Sequence, residues 1–320
     1  MVNLQSDFYH SGETQLQHAV GSRERTEELS RILMKDHLVP QHREFFAGLE
    51  YLFLSAVDVS GRLRTVMVSG TRGFLGTPTD KILRLDAQSS DVLAHLGDLP
   101  QSAMVGVIGI DLSNRRRNRM HGTIAAVQNT HVDIQVTQSY GNCPKYINIR
   151  DLTSHFTSTH TPVSISRPSL DETDRPAIRA ADIFFIASYF DAGQNNQYEG
   201  ADMSHRGGMP GFVHVGGDTL TIPDYFGNNL FNTFGNLLMT PATALLFIDF
   251  ETGETRQING TAKISDDPNL VTQYPKALRL LQVKVTGVTA TKNATPLRWV
   301  PGETSPYNPV LSVENKEAIQ

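Results

Sequence analysis

The chain reads as a mainly β protein: two related β-barrel units in tandem, with peripheral helices. Three observations predict this class. Short runs rich in aromatic and β-branched residues recur between glycine-rich turns, the signature of strands in small barrels. The same order of features occurs twice, about 138 residues apart, as VIGIDLSNRRRNRMHGTIAAV around Asp111 and LLFIDFETGETRQINGTAKI around Asp249. The chain also lacks both the repeated strand–helix alternation and the G-x-G-x-x-G after a strand that mark a doubly wound α/β sheet.

Taken in order, residues 1–44 are expected to form a helical cover. Within them SRERTEELSRILMKDHL predicts an amphipathic helix capped by Ser22, with Leu29, Ile32 and Leu33 turned to the barrel surface. The first unit, 45–152, opens on the strand-like EYLFLSAVD and continues through VMVSGTRGFLG. A short helix follows in SSDVLAHLGDLP, with Ser89 or Ser90 as N-cap and a stop at Gly97 and Pro100. Residues 153–178 read as a Ser/Thr/Pro-rich linker.

The second unit, 179–300, repeats the plan with DIFFIASYFD, DMSHRGGMPGFV and a helix in NNLFNTFGNLLMTP bounded by Pro241. Each unit thus reads strand, hairpin, strand, helix, strand, hairpin, strand. The tail, 301–320, is polar and is expected to be an extended arm.

Composition limits function. Of 320 residues 39% are hydrophobic and 19% charged, with a formal net charge of -5, which suits a soluble globular protein and disfavours a general nucleic-acid or anionic-membrane binder. With no apolar run of signal-peptide or membrane-spanning length, a cytoplasmic location is expected. The single Cys143 excludes an internal disulfide, and no metal site is expected because H-E-x-x-H and Cys-rich spacings are missing. Neither a G-x-S-x-G elbow nor a Walker loop is present.

Three clusters point to a small anionic ligand. In SHRGGMPGFVHVGG, Arg206 offers a charged fork suited to a phosphate, while Gly207 and its neighbour allow close backbone approach. In PDYFGNNLFNTFGN, Asn228, Asn229 and Asn232 stand at a helix start, where unpaired N–H groups favour anions. In QSYGNCPKYINIRDL, residues Ser139, Asn142, Cys143, Lys145, Tyr146 and Arg150 crowd a segment punctuated by Gly and Pro. A catalytic thiol at Cys143 would need an activating base, and no Cys/His pair is discernible by spacing.

The ordered motifs SHRGGMPGFVHV, PDYFGNNLFNTFGNL and LLFIDFETGETRQINGTA resemble the flavin-binding split-barrel proteins related to pyridoxamine 5'-phosphate oxidase. SYGNCPKYINIR and FYHSGETQLQHAVGSRER are similar to a branch that carries two such barrels in tandem by internal duplication.

The resemblance implies FMN bound non-covalently between the two barrels. It places Ser204, His205, Arg206 and Gly207 on the strand approaching the flavin, and Asp224, Tyr225, Asn228 and Asn232 near its ribityl phosphate. Gln257 stands on the following strand, with Ser139, Asn142, Cys143 and Lys145 closing the cleft from the other unit. The first half keeps Ser69 and Arg72 but has no counterpart to GNNLFN, so one flavin site is expected.

The expected function is an FMN-dependent oxidoreductase of a small organic substrate, with His205 and Tyr225 as candidate proton donors and NAD(P)H or a reductase as electron donor. Pairing as a homodimer is a further expectation. True pyridoxamine phosphate oxidation is not expected, since the family's Arg-x-His pattern is not visible near LRWVPGE. Two other readings stay open: a non-catalytic flavin or haem binder, with His205 or His214 as axial ligand, and a deazaflavin reductase.

Overall fold

The computed structural model describes residues 8–58, 60–157, 159, 161–193 and 198–310. The outermost parts of the expected cover (1–7) and tail (311–320) lie outside these residues. Three helices open the chain: α1 (Ser11–Ala19), α2 (Arg23–Leu33) and α3 (Pro40–Ala47). Next come β1 (Tyr51–Val57), β2 (Leu63–Ser69), β3 (Leu75–Thr79), β4 (Ile82–Asp86), α4 (Val92–Leu96), β5 (Met104–Asp111), β6 (Arg116–Val127) and β7 (His131–Gly141).

A connecting stretch carries β8 (Arg150–Ser154), β9 (Val163–Arg167) and α5 (Asp174–Ala180). The second series is β10 (Ile183–Phe190), β11 (Gly200–Gly207), β12 (His214–Gly216), β13 (Thr219–Asp224), α6 (Asn232–Met239), β14 (Ala242–Ile248), β15 (Thr255–Ser265), α7 (Pro268–Val271), β16 (Arg279–Lys292) and β17 (Arg298–Pro301).

The two antiparallel sheets share one strand order. The first runs β2-β1-β5-β6-β7-β4-β3, and the second runs β11-β10-β14-β15-β16-β13-β12, with β9 added beside β16. Each sheet curls round its own core. In the first, Leu52, Val68, Leu75, Leu83, Val105, Met120 and Val132 come one from each strand and form a single cluster. No ladder joins the two end strands of either sheet among the described residues.

The outer faces of β1, β2 and β5 pack against those of β10, β11 and β14. Phe53 stacks on Phe185 with ring centroids 3.6 Å apart, inside a third apolar cluster that also holds Tyr51, Ile108, Leu246 and Trp299. Strands covered on both faces read as nearly continuous apolar runs, which is why EYLFLSAVD and DIFFIASYFD lack clean alternation. Gly106 on β5 permits the approach, because a Cβ there would lie 2.7 Å from the Ala201 carbonyl of β11.

Five expectations need correction. Helix α2 turns Ile32 (68% exposed) and Leu33 (46%) to solvent and buries Thr26 and Ser30 instead. Its N-cap Ser22 makes no side-chain capping bond, and the N-cap of α4 is Asp91 rather than either serine. The linker supplies a strand, since β9 pairs with β16 from Arg167↔Val288 to Val163↔Lys292. The described part of the tail is docked: β17 pairs with β8, and the buried Asn308 donates through Nδ2 to Asn148 Oδ1 (2.9 Å) and to the Gly208 carbonyl (3.1 Å).

Candidate functional site: a cationic cleft between the sheets

A cleft of about 960 Å³, its open mouth included, lies between the sheets. One wall is the end of β11, from Ser204 to Gly207, with Asp224 closing β13, Tyr225 just beyond it and the first turn of α6. The opposite wall comes from the first sheet: Arg117 and Arg119 on β6, then Asn142, Cys143, Lys145 and Tyr146 beyond β7.

Charge is unevenly distributed. Arg117, Arg119, Lys145 and Arg206 line the cleft against the single carboxylate of Asp224. Arg206 Nη1 donates to Asp224 Oδ1 at 2.7 Å, and Arg279 Nε stands 3.5 Å from Asp224 Oδ2, so one carboxylate serves two guanidiniums. Burial pushes the Asp224 carboxyl above its ordinary range, against the pull of those two cations. Arg119 is matched by Asp202, which also accepts from His121 (3.1 Å) and Thr233 (3.1 Å).

Arg117 and Lys145 meet no carboxylate among the described residues. Arg117 Nη1 donates instead to His205 Nδ1 at 2.9 Å. Burial, with Arg119 and Arg206 nearby, pulls Arg117 down to about 9. Lys145 Nζ sits 4.7 Å from the Phe226 ring centre and 5.4 Å from that of Tyr307.

His205 has a defined tautomer. Guanidinium can only donate, so Nδ1 accepts and the proton resides on Nε2, a buried atom without a partner. Burial first, then Arg117, Arg206 and Arg150, hold the imidazole well below its usual range and therefore neutral. The Nε atoms of Arg117, Arg119 and Arg206 are likewise buried and unpartnered. Four N–H donors without partners thus belong to residues that line one cleft, and an unpaired buried donor costs free energy.

The local backbone is strained where it meets the cleft. Tyr146 (φ 64), Asn229 (φ 58) and Phe231 (φ 63) all adopt the left-handed region, which is unusual for a bulky residue such as Phe231. Phe231 precedes α6 as its N-cap and offers no side-chain acceptor, so the first N–H groups of α6 are not capped from within the helix. Tyr146 and Tyr225 face one another with ring centres 5.4 Å apart, and burial pushes both phenols up, keeping them protonated.

Of the sequence-predicted residues, Ser204, His205, Arg206, Gly207, Asp224, Tyr225, Asn228, Asn232, Asn142, Cys143 and Lys145 all line this cleft. Two do not. Gln257 lies on β15, where its Oε1 accepts from the Thr65 backbone at 3.1 Å and its Nε2 donates to Asn259. Ser139 is buried on β7, donating to the His37 carbonyl at 2.6 Å and facing His42 Nδ1 at 3.2 Å.

The glycine run also has a different reason from the one its composition suggests. A Cβ on Gly207 would lie 2.0 Å from the Tyr146 carbonyl, and one on Gly208 would strike the Phe212 ring. The run therefore lets the two walls of the cleft meet.

Sequence reading missed Arg117 and Arg119. Register explains their place: Phe53↔Ile108↔Arg119 in the first sheet matches Phe185↔Leu246↔Gln257 in the second, so Arg119 occupies the position of Gln257. By the same rule Met67 and Val68 occupy the positions of His205 and Arg206. The mirror-related place thus carries Gln257, Met67 and Val68 where the cleft carries Arg119, His205 and Arg206. The available signal was the alternation of arginines at 117 and 119, which puts two like charges on one face of a strand.

Fold and site together define a mainly β protein with two sheets of the same strand order and one cationic cleft between them. No protein-family model and no curated protein matches the chain. Solved structures with partial likeness include a HupZ variant from Group A Streptococcus, with 11% identity over 37% of this chain and 96% of that one at a TM-score of 0.29. A Lactobacillus delbrueckii protein described provisionally as a pyridoxamine 5'-phosphate oxidase shows 15% identity over 38% and 94%, at 0.30. A FAD-binding protein of Mesorhizobium loti shows 8% identity over 40% and 98%, at 0.26. Likeness at these scores carries no functional information, and the fold class rests on the sheets themselves.

Proposed function

We propose that this protein is an FMN-dependent oxidoreductase acting on a small organic substrate, with the flavin held non-covalently in the cleft between the two sheets. The observation that carries this reading is a cleft lined by four cationic side chains, two of them without a carboxylate partner among the described residues, together with aromatic walls. A phosphate monoester brings about -1.5 to -2 charges and three acceptor oxygens. Arg117 and Lys145 lack carboxylate partners, and the uncapped start of α6 at Asn232 and Thr233 adds N–H groups, so these residues would hold the phosphate. Tyr225, Phe231 and Phe234 supply the apolar lining that a planar ring system requires.

A bound flavin supplies hydride and electron transfer. The chain's own residues bind and orient it. His205, neutral and protonated on Nε2, donates a hydrogen bond without adding charge, and Tyr225 keeps its phenolic proton for donation. The domain plan follows from the same reading: the shared strand order reflects internal duplication, the units span about 45–152 and 179–300, and the mirror-related place, with Gln257, Met67 and Val68, has lost its cations. The His205 tautomer counts against a haem ligand, since a protonated Nε2 has no lone pair to give iron.

The test is the absorption spectrum of the purified protein, followed by release of its chromophore by heat. Flavin bands and released FMN support the reading. A Soret band, or uptake of deazaflavin alone, overturns it. Reduction of the bound flavin by NAD(P)H or by a candidate amine then separates an enzyme from a binder.

A further inference from the structure

The stretch 227–232 bends sharply into the cleft through two left-handed residues, Asn229 and Phe231, and leads into a helix without a side-chain cap. Its own bonds are few: Leu230 N–H donates to Asn228 Oδ1 (3.1 Å) and Gly235 N–H to the Phe231 carbonyl (2.6 Å). Further support comes from helix α1, more than two hundred residues earlier in the chain.

Residues 10, 13 and 17 are spaced by three and four and so share one face at the start of α1. His10 Nε2 meets Asn236 Oδ1 at 2.8 Å, Glu13 Oε1 accepts from Asn232 Nδ2 at 2.7 Å, and Gln17 Nε2 donates to the Leu230 carbonyl at 3.1 Å. All three of these α1 side chains are buried.

The two helices touch through glycines. A Cβ on Gly12 would lie 2.4 Å from the Gly235 carbonyl, and one on Gly235 would lie 2.3 Å from Glu13 Cγ. This contact fixes the height of Glu13 against Asn232. The amide of Asn232 is then oriented from both sides, since its Oδ1 accepts from Tyr140 at 3.4 Å while its Nδ2 is held by Glu13. Asn232 lines the cleft.

A carboxyl group in a dry helix–helix contact is costly to bury, and packing alone does not call for one. We infer that Glu13 and Gln17 are positioning residues for the ligand of the cleft, holding Asn232 and the Leu230 carbonyl so that the first turn of α6 faces the bound anion. This rests on the reading that the cleft takes FMN. It assigns a role to the HSGETQLQ segment that the cleft residues themselves do not explain.

The experiment is an FMN titration, followed by flavin fluorescence quenching, of the full chain and four variants: Gln17→Ala, Glu13→Ala, Glu13→Gln and Thr26→Ala. Thr26 is the control, a buried residue of the neighbouring helix whose hydroxyl bonds only the Ser22 and Arg23 carbonyls. Thermal midpoints without flavin are measured alongside.

Gln17→Ala and Glu13→Ala are expected to raise the FMN dissociation constant by about tenfold, the loss of one buried hydrogen bond. Glu13→Gln keeps an acceptor for Asn232 and should stay within about threefold of the parent by the same reckoning. Thr26→Ala should leave affinity unchanged whatever its midpoint. Should Glu13→Ala not fold, Gln17→Ala decides. Affinity unchanged in Gln17→Ala, or lowered equally in Thr26→Ala, overturns the inference while the parent still binds FMN. A parent protein that takes up no FMN overturns the functional reading and this inference with it.

Discussion

Arg117 on the first sheet donates to His205 on the second, Nη1 to Nδ1, across 2.9 Å. This single bond spans the cleft, sets the imidazole tautomer and leaves a buried guanidinium without a carboxylate.

Arg117→Ala should therefore weaken FMN binding by about ten- to a hundredfold, the range for losing a hydrogen bond to a charged group. Arg206→Ala should cost less, because Asp224 already neutralises Arg206. Riboflavin, which lacks the phosphate, should bind the parent and Arg117→Ala alike. Titrating both flavins into both variants checks this, and equal losses for the two flavins would reject a phosphate role.

Asp224→Asn should lower the thermal midpoint, since removing the shared carboxylate leaves two buried guanidiniums facing each other. Breaking a buried pair costs about 3–5 kcal/mol. Saturating inorganic phosphate should restore part of the loss by binding the folded state. Circular dichroism melts with and without phosphate test this, and no recovery would mean that the freed cations do not face the cleft.

Phe53→Ala should destabilise the whole chain by about 3–5 kcal/mol, the usual cost of deleting a buried ring. Phe53 stacks on Phe185 where the sheets meet, so the loss should also loosen the cleft. Urea unfolding measures the first effect and FMN affinity the second.

Glu13 gives stability a pH dependence. Burial pushes its carboxyl up to about 8 from an ordinary 4.5, outweighing the bonds from His10 and Asn232. The folded state then binds the proton more tightly than the unfolded chain, so this contribution is fully present below about 4.5 and is lost progressively as pH rises to about 8. The slope is roughly 1.4 kcal/mol per pH unit within that window. Denaturant titrations from acid to mildly alkaline pH should show the decline in the parent and a flatter profile in Glu13→Gln.

Much of the architecture was legible because strand signals are local. The runs beginning at Tyr51 and Ile183, the turn-bounded helix at Asn232 and the repeat around Asp111 and Asp249 each announce themselves within a few residues. What stayed hidden depends on tertiary pairing. Arg119 could not be told from a solvated arginine until its strand was placed opposite Asp202. The polar face of α2 is buried because the Ser30 hydroxyl meets Tyr9, a contact that no hydrophobic periodicity signals. Gln257 matched a motif yet points at Thr65, because two sheets of the same strand order give each motif two possible places and only the register decides between them.

The most direct measurement is a stoichiometric titration of flavin-free protein with FMN, followed by fluorescence quenching and the visible spectrum. Saturation at one FMN per chain, lost or much weakened in Arg117→Ala, is the result expected. Absence of saturable quenching in the parent protein, or binding that Arg117→Ala leaves untouched, would contradict the claim that this cleft is built for a flavin phosphate.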